Sequence, residues 1–393
     1  CGCQRPEPRH RRRDPVLVVV AGSHRMTRIL LIGGGHTHVV ALRRLARRKP
    51  AGLDIHLVSP DLTTSYSGLL PGHIAGPWTR HTLEIPMPPL CRTAGATLHS
   101  TSVTALDPVA RTVDLAGGDT LSFDYASLDI GAFADVTGPE SLRKCGVPVK
   151  PLGPFADRWS DFVSRVESGE LPPHAAVLGA GTAGVELALS MNYRLDSLGL
   201  SRPVRVALIE RGTNLLPGGT ASMRTHLERE LKRAGVAVIT GASVVDADEN
   251  GLRLTQYGDV PAGFVALATG ARPHAWLAGT GLRLHDGFVC VGPTLQSVSH
   301  SHVFACGDTA HLTFDPRPKA GVFAVRQGAV LAEQITRLAT NQPLTRYHPQ
   351  KDYLKLVSLG RRRAIAEKWG ITLNLPGIWA LKRHIDFDFM KGG

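Results

Sequence analysis

The sequence predicts an α/β protein built from two three-layer ββα units and a short C-terminal region. An apolar strand pattern, a glycine-containing turn and an amphipathic helix pattern follow one another in residues 28–42 and again in residues 175–189. A further β-type segment follows each of them, at residues 55–58 and 204–209, as expected for parallel βαβ units. This repetition indicates two Rossmann-like units in one chain.

The second glycine turn has the regular spacing of a dinucleotide site. Gly179, Gly181 and Gly184 match G-x-G-x-x-G, which lets a pyrophosphate approach backbone N–H groups at a helix N-terminus. Glu210 ends the next strand, where an acid can accept hydrogen bonds from an adenosine ribose. This position favours NADH over NADPH, although Arg211 directly after it leaves some room for a 2′-phosphate.

The first glycine turn is less regular. Gly33 and Gly35 fill the first two glycine positions, but His38 stands where the third glycine is expected. Because that glycine normally lets helix and strand pack closely, the histidine predicts either a wider crossing or a side chain turned outward. No acid directly ends the following strand, so Ser59 or Asp61 is the candidate for a ribose contact.

The composition is that of a globular protein, with a net charge of +12 over 393 residues. Much of this charge lies near the chain ends, and no recognition motif accompanies it, so we expect no nucleic-acid partner. No apolar run approaches the ~20 residues that span a bilayer. Residues 1–26 are expected to be a disordered or non-native extension, with the start site at Met26. The basic cluster at residues 43–49 is interpreted as a solvated helix end.

The six cysteines lack the close spacing of a redox pair within the predicted folded part. This pattern fits a reduced, cytoplasmic setting. His36 and His38 are two apart, on different faces of a helix, and the other histidines show no metal-ligand spacing. We therefore expect neither a dithiol nor a bound metal.

Two further motifs complete the pattern: ALATGARP at residues 266–273 and FACGDTA at residues 304–310. With both glycine turns, in this order, the chain resembles the two-dinucleotide-binding flavoproteins of the pyridine nucleotide-disulfide oxidoreductase superfamily. GGGHTH, SPDLTTSYSGLLPG, PKAGVFAVRQG and WALKRHIDFDFM are most similar to a type II NADH dehydrogenase-like branch. Members of that branch occur alone or fused to selenophosphate synthetase.

The resemblance implies a discontinuous FAD-binding domain over residues 27–133 and 268–340. It implies an NAD(P)H-binding domain over residues 134–267 and an interface or membrane-surface segment over residues 341–393. Lys319, which would stabilise negative charge on reduced flavin, and Glu186, near the nicotinamide, are the implied catalytic residues. The other predicted cofactor-binding residues, outside the second glycine turn, are Gly33, Gly34, Gly35, His36, His38, Ser59, Asp61, Tyr66, Ser67, Pro71, Gly131, Thr269, Gly270, Gly307, Asp308, Lys319, Ala320, Gly321 and Val322. The implied NADH-binding residues are Gly179, Gly181, Thr182, Gly184 and Glu210.

The leading function hypothesis is transfer of electrons from NADH through FAD to an acceptor, with a quinone expected by family analogy. Two alternatives stay open: a sulfide- or selenium-linked flavoprotein oxidoreductase, and a non-catalytic FAD- and NAD-binding partner of selenium metabolism. The apolar and basic residues 378–391 are compatible with contact at the inner face of a membrane. A helix docked on its own domain or on a second copy explains them equally well.

Overall fold

The computed structural model describes Gly2 and residues 26–392. Strands and helices follow one another along the chain from residue 27 onward. The rest of the predicted N-terminal extension lies outside the described residues. The first part of the chain contains β1 (Thr27–Ile32), α1 (His36–Arg48), β2 (Leu53–Val58), β3 (Thr63–Ser65), α2 (Leu70–Ile74), β4 (Glu84–Pro86), α3 (Met87–Ala94), β5 (Ala96–His99), β6 (Val103–Asp107), β7 (Thr112–Leu115), β8 (Thr120–Ser122), β9 (Tyr125–Leu128) and β10 (Phe133–Ala134).

The middle of the chain repeats this layout. It contains α4 (Glu140–Cys145), β11 (Val147–Pro148), α5 (Leu152–Glu167), β12 (His174–Leu178), α6 (Thr182–Asp196), β13 (Arg205–Glu210), α7 (Ala221–Ala234), β14 (Ala237–Thr240), β15 (Val244–Ala247), β16 (Gly251–Leu254), β17 (Gly258–Pro261), β18 (Phe264–Leu267) and β19 (Ala271–Arg272).

The last part of the chain returns to the first unit and then adds a C-terminal segment. It contains β20 (Leu284–His285), β21 (Phe288–Val291), β22 (Val303–Ala305), β23 (Ala310–Leu312), α8 (Gly321–Ala339), β24 (Lys355–Ser358), β25 (Ala364–Lys368), β26 (Ile371–Leu373) and α9 (Ile378–Lys391). Short 3-10 turns lie at Ser67–Leu69, Arg80–Leu83, Ala275–Gly279 and Gly307–Thr309.

Two five-stranded parallel sheets form the centres of the two units. Their strand orders are β22-β9-β1-β2-β5 and β11-β18-β12-β13-β14, so the strand before each glycine turn is central. A three-stranded antiparallel sheet accompanies each of them, β6-β7-β8 in the first unit and β15-β16-β17 in the second. The predicted α/β class and its internal duplication are therefore confirmed.

The sheet strands are buried because helices cover their faces. In the first unit α1 packs tightly on α8, where a Cβ on Gly328 would lie 2.5 Å from Cβ of Val40. The hydroxyl of Thr37 also donates to the carbonyl oxygen of Ala324, at 2.9 Å. This close crossing holds the N-terminal ends of α1 and α8 side by side, at the carboxyl edge of the sheet.

Candidate functional site

The backbone of the first glycine turn packs directly against the end of β9, with no side chain between them. Gly33 has a φ of +95°, and a Cβ there would lie 2.4 Å from the carbonyl oxygen of Asp129. A Cβ on Gly35 would lie 2.2 Å from the carboxyl carbon of Asp129. Gly35 also provides the N-cap of α1 without a side-chain bond, so the N-terminus of this helix faces the turn with its backbone amides.

Asp129 occupies a buried position beside that helix N-terminus. Its Oδ2 accepts the backbone N–H of His38 at 3.1 Å. Burial raises the pKa of the Asp129 carboxyl to about 6, while the amides of His38 and Thr37 and the His36 ring oppose this shift. The site thus contains a carboxyl group that is only weakly acidic, close to where the resemblance expects a diphosphate.

His38 turns into the protein, so the expectation of an outward side chain is wrong. Its Nδ1 lies 2.7 Å from the carbonyl oxygen of Gly33, and its Nε2 lies 2.9 Å from the hydroxyl oxygen of Ser127. Burial lowers the pKa of this fully buried imidazole to about 4. The ring therefore fills the space between α1 and β9 as a neutral, hydrogen-bonded group.

A cavity of about 540 Å³ extends from the first glycine turn between the two units. The predicted residues that line it are Gly33, Gly34, Gly35, His36, Ser59, Asp61, Ser67, Gly131, Asp308 and Gly321. Ser59 donates to the carbonyl oxygen of Asp61 at 3.0 Å, so these two ribose candidates lie together. A cavity whose wall contains both the N-terminal amides of a helix and polar side chains fits an FAD.

The cavity wall also contains an ion pair that the motifs did not predict. Nζ of Lys150 lies 2.5 Å from Oδ2 of Asp308, and both side chains line the cavity. Lys319, in contrast, is not among the lining residues. Its ammonium donates to the carbonyl oxygen of Ala310 and lies 3.9 Å above the Phe288 ring, while burial lowers its pKa to about 8.

Other predicted residues surround the cavity rather than line it. The Tyr66 hydroxyl points to α9, and Pro71 lies in α2. Gly307 packs against Asp129, since a Cβ added to Gly307 would lie 2.5 Å from Oδ1 of Asp129. Ala320 and Val322 flank the lining residue Gly321 at the start of α8. Thr269 and Gly270 hydrogen-bond to the backbone of Asp135, where the chain passes between the units.

The second glycine turn is built as the fingerprint predicts. A Cβ on Gly184 would lie 1.8 Å from the carbonyl oxygen of Gly179, so only glycine permits this contact. Gly181 caps α6, and Thr182 begins it. The Glu210 carboxylate accepts the backbone N–H groups of Ala180 and Gly212, each at 2.8 Å, and this fixes the acid beside the turn. The geometry fits an adenosine ribose and a diphosphate.

Glu186 connects α6 to the C-terminal segment. Its Oε1 accepts the backbone N–H of Ser358 at 2.7 Å. Burial raises the pKa of the Glu186 carboxyl, and nearby Lys382 opposes this shift. The predicted nicotinamide-side residue therefore lies where α6, β24 and α9 meet.

Helix α9 packs on the first unit through an aromatic and charged face. Phe389 stacks on Tyr66 with ring centroids 4.3 Å apart, and the Tyr66 hydroxyl donates to Oδ1 of Asp386 at 3.2 Å. Lys382 donates to Oδ2 of Asp386 and to the carbonyl oxygen of Gly68, both at 2.8 Å. The sequence left three explanations for residues 378–391: contact with a membrane, with their own domain or with a second copy. Docking on their own domain accounts for this aromatic and charged face.

The basic end of α1 is not simply solvated, which corrects the interpretation of residues 43–49. Arg43 donates to the carbonyl oxygens of Phe389 and Met390, at 2.5 and 2.9 Å. Arg47 donates to the carbonyl oxygen of Gly392. These cations cover the C-terminal end of α9, where the helix dipole favours positive charge.

Apolar side chains remain exposed on the solvent side of α9 and in residues 369–375, which precede it. We call Trp369, Ile371, Leu373, Leu375, Leu381 and Ile385 the C-terminal apolar face. Trp369 keeps 75% of its surface exposed and Ile371 keeps 61%. Within residues 26–392, no helix combines the length and the apolar character that crossing a bilayer requires.

The cysteines of residues 26–392 are all free, and none lines the cavity. Burial raises the pKa of the thiols of Cys91, Cys145, Cys290 and Cys306. Over the same range there is no group of three or more His, Cys, Asp or Glu side chains arranged to hold a metal ion.

The motifs missed Asp129 and Lys150. For Asp129 a signal was present, because an acid follows the apolar strand of residues 125–128, just before Gly131. Strand ends of a parallel sheet meet at one edge, which places such an acid near the glycine turn. Lys150 lies in an irregular Pro-rich segment, where spacing says nothing about which element it contacts.

Comparison with known proteins identifies the family. The family model for pyridine nucleotide-disulphide oxidoreductases matches residues 27–328. Among curated proteins, dihydrolipoyl dehydrogenase of Pseudomonas aeruginosa is 30% identical over 240 residues, covering 58% of this chain and 46% of that protein. Type II NADH:quinone oxidoreductase of Haemophilus influenzae is 29% identical over 210 residues, covering 48% and 45%. The chain thus spans less than half the length of these two relatives.

Solved structures share the fold over nearly the whole chain. The sulfide:quinone oxidoreductase of Aquifex aeolicus superposes with a TM-score of 0.79 at 18% identity, covering 93% of this chain and 92% of that one. NDH2 of Plasmodium falciparum in complex with NADH gives 0.76 at 14% identity, covering 93% and 98%. As its motifs predict, the chain belongs to the pyridine nucleotide-disulphide oxidoreductase family, a family of flavin-dependent oxidoreductases that use FAD and NADH or NADPH.

Proposed function

We propose that this protein passes two electrons from NADH through FAD to a quinone. The observation that carries the proposal is the pairing of two differently built nucleotide cradles in one chain. The first opens into the cavity that contains Asp308 and Lys150, and the second holds Glu210 beside its glycine turn. FAD, when bound, supplies the two-electron chemistry, and the protein supplies binding, orientation and exclusion of water.

The FAD would lie in the first unit, residues 27–133 and 268–340. Gly33 to Gly35 would receive the diphosphate at the N-terminus of α1, and Asp308 would accept hydrogen bonds from the ribityl hydroxyls. Lys150 pairs with Asp308 in the same cavity wall. Tyr66 and the start of α8 would bound the flavin side of the site.

The NADH would lie on the second unit, residues 134–267. Gly179, Gly181 and Gly184 leave the N-terminus of α6 open to a diphosphate, and Glu210 would accept the ribose hydroxyls. A carboxylate at this place repels a 2′-phosphate, which favours NADH over NADPH. Glu186 would lie on the nicotinamide side, about one turn into α6.

A quinone acceptor is supported by the relatives and by the C-terminal apolar face. Type II NADH:quinone oxidoreductase and the demethylphylloquinone reductase of Synechocystis are both named for quinones. Exposed apolar side chains close to basic ones suit a peripheral contact with the inner face of a membrane, where quinones dissolve. A sulfide- or disulfide-linked reaction has less support, because none of the cysteines in residues 26–392 lines the cavity.

Steady-state kinetics test this proposal. NADH oxidation by the FAD-loaded protein is measured with a water-soluble quinone, and separately with lipoamide or glutathione disulfide. We expect turnover with the quinone, slower turnover with NADPH, and none with the disulfides. Turnover with a disulfide but not with quinones would overturn the choice of acceptor.

A further inference from the structure

A short segment, residues 65–68, separates the cavity at the first glycine turn from α9. Ser65 and Ser67 line the cavity. Tyr66 and Gly68, which alternate with them along the chain, contact α9 instead. A shift of this segment would therefore change the cavity wall and the contact with α9 together.

A buried ion pair on α9 holds this segment. Lys382 donates to Oδ2 of Asp386, four residues later on the helix, and to the carbonyl oxygen of Gly68, both at 2.8 Å. Oδ1 of Asp386 accepts the Tyr66 hydroxyl at 3.2 Å. Lys382 keeps only 9% of its surface exposed and Asp386 only 7%. Each member of the buried pair thus also bonds to the segment.

Gly68 leaves no free space between the ion pair and the Tyr66 ring. A Cβ added to Gly68 would lie 2.5 Å from Oδ1 of Asp386 and 2.6 Å from Cε1 of Tyr66. A side chain cannot make contacts this short, so the backbone approaches α9 this closely only because residue 68 is glycine. The sequence of the segment therefore suits the close contact with α9.

His36 connects the same segment to the first glycine turn and to α9. It lines the cavity at the start of α1, and its Nε2 donates to the carbonyl oxygen of Ser65 at 3.2 Å. Its ring meets the Tyr66 ring edge-on, with centroids 5.5 Å apart, and the Phe389 ring of α9 in the same way, at 5.8 Å. The start of α1, the segment and α9 therefore pack together at this wall of the cavity.

Simple attachment of a helix does not require a buried ion pair. Removing two charges from water costs free energy, and well-packed apolar side chains often attach an element as firmly. Apolar side chains lack direction, whereas hydrogen bonds set the Tyr66 hydroxyl and the Gly68 carbonyl at defined places. The Lys382–Asp386 pair is therefore suited to holding the segment in one position.

We propose that Asp386 and Lys382 are positioning residues of the flavin site, and that docking of α9 holds the flavin in one orientation. The proposal deepens the proposed function, since it rests on FAD lying in the first unit with its flavin beside Tyr66 and the start of α8. Neither charged side chain lines the cavity, so both act through residues 65–68. FAD binding and docking of α9 then stabilise each other reciprocally.

Hydrogen exchange of the wild-type protein with and without FAD is the first test, and it needs no variant. Because the coupling is reciprocal, bound FAD should slow exchange of the backbone amides of residues 378–391 roughly tenfold or more. Helix α7 of the second unit is the internal reference and should be slowed much less. Equal slowing in both helices, or none in α9, would overturn the proposal.

The double variant Lys382→Met/Asp386→Leu is the second test. It replaces the ion pair by apolar side chains, which keep α9 packed but remove its hydrogen bonds to residues 65–68. FAD affinity of the apoprotein should fall roughly tenfold, and FAD should slow exchange in α9 by correspondingly less. The visible circular dichroism of the bound flavin should also change, and far-UV circular dichroism shows whether the variant is folded. The single variant Asp386→Asn keeps an acceptor oxygen and should restore most of the affinity and of the flavin spectrum.

The control makes the same kinds of change at exposed positions of the same helix. Arg383→Met/Asp388→Leu should keep the wild-type FAD affinity and flavin spectrum. Wild-type affinity and spectrum in the Lys382→Met/Asp386→Leu variant, or equal changes in the control, would contradict the positioning role. Exchange and titration use FAD without NADH or quinone. Protein that binds FAD without protecting α9 therefore contradicts only this proposal, whereas protein with a protected α9 whose flavin NADH does not reduce contradicts only the proposed function.

Discussion

The Nδ1 atom of His38 lies 2.7 Å from the carbonyl oxygen of Gly33, five residues earlier in the chain. A carbonyl only accepts, so Nδ1 carries the proton and Nε2 accepts from the Ser127 hydroxyl. In the second unit, a Cβ on Gly184 would lie 1.8 Å from the corresponding carbonyl of Gly179. The two units thus connect helix and turn by different means: a hydrogen-bonded imidazole in one and close backbone packing in the other.

This histidine should make the fold sensitive to acid. Its pKa is about 4 in the folded protein, against 6.5 for an unperturbed imidazole. As pH falls from 6.5 to 4, the unfolded chain takes up a proton that the folded chain does not, so the free energy of unfolding falls. Over this pH range, His38 alone lowers the free energy of unfolding by about 3 kcal/mol. Urea unfolding across that range should show a shallower acid loss for His38→Gln than for wild type.

The exposed His384 provides the matched control for that measurement. His384→Gln should keep the wild-type pH dependence, because its side chain lies on the solvent side of α9. A His38→Gln profile parallel to that of wild type would show that the imidazole is not held neutral by the fold.

Asp129 should make FAD binding pH-dependent. Its pKa is raised to about 6, so the carboxyl is neutral below that pH and negative above it. A negative charge beside the N-terminus of α1 opposes a diphosphate there. We expect FAD affinity to fall as pH rises from 5 to 8, by up to roughly tenfold, since a pKa shift of one unit corresponds to 1.36 kcal/mol.

The variant Asp129→Asn should remove that dependence, because an amide oxygen still accepts the His38 N–H but carries no charge. Asp119→Asn, at an exposed turn, is the control and should behave as wild type does. FAD affinity is measured by fluorescence titration of the apoprotein. Loss of FAD binding at every pH in Asp129→Asn would show that the carboxylate itself is required.

Lys150, rather than Lys319, should set the charge felt by the flavin. Lys150 lines the cavity and pairs with Asp308, whereas the Lys319 ammonium lies over Phe288. Reduction adds negative charge to a flavin. Removing a cation from the cavity wall therefore makes reduction of the flavin less favourable. We expect Lys150→Met to lower the two-electron midpoint potential by about 30 mV or more, which corresponds to ~1.4 kcal/mol. A larger shift in Lys319→Met would instead favour Lys319, the residue that the family resemblance implies for this role.

Glu186 should support the C-terminal segment through Ser358. Glu186→Ala leaves a buried backbone N–H without an acceptor, which costs about 1–3 kcal/mol of the free energy of unfolding. Glu186→Gln keeps an acceptor oxygen at the same place and should cost less than the alanine variant. Urea unfolding monitored by tryptophan fluorescence separates the two. Equal losses would mean that the negative charge near Lys382, not the hydrogen bond, stabilises this junction.

The features of this protein that depend on short-range sequence spacing were predictable from the sequence. The glycine turns and the acid at residue 210 follow from local spacing, because a strand, a turn and a helix occupy fixed positions in a βαβ unit. The burial of His38 was not predictable, since its partner Ser127 lies 89 residues away, on strand β9. The same is true of the Lys150–Asp308 pair and of Tyr66 with Asp386, which depend on how distant segments pack.

Anaerobic titration of the FAD-loaded protein with NADH tests the central claim most directly. We predict that one NADH per flavin bleaches the flavin absorbance, that NADPH does so more slowly, and that a quinone restores the absorbance without a thiol. Protein that retains no FAD, or whose flavin NADH does not bleach, would contradict the account.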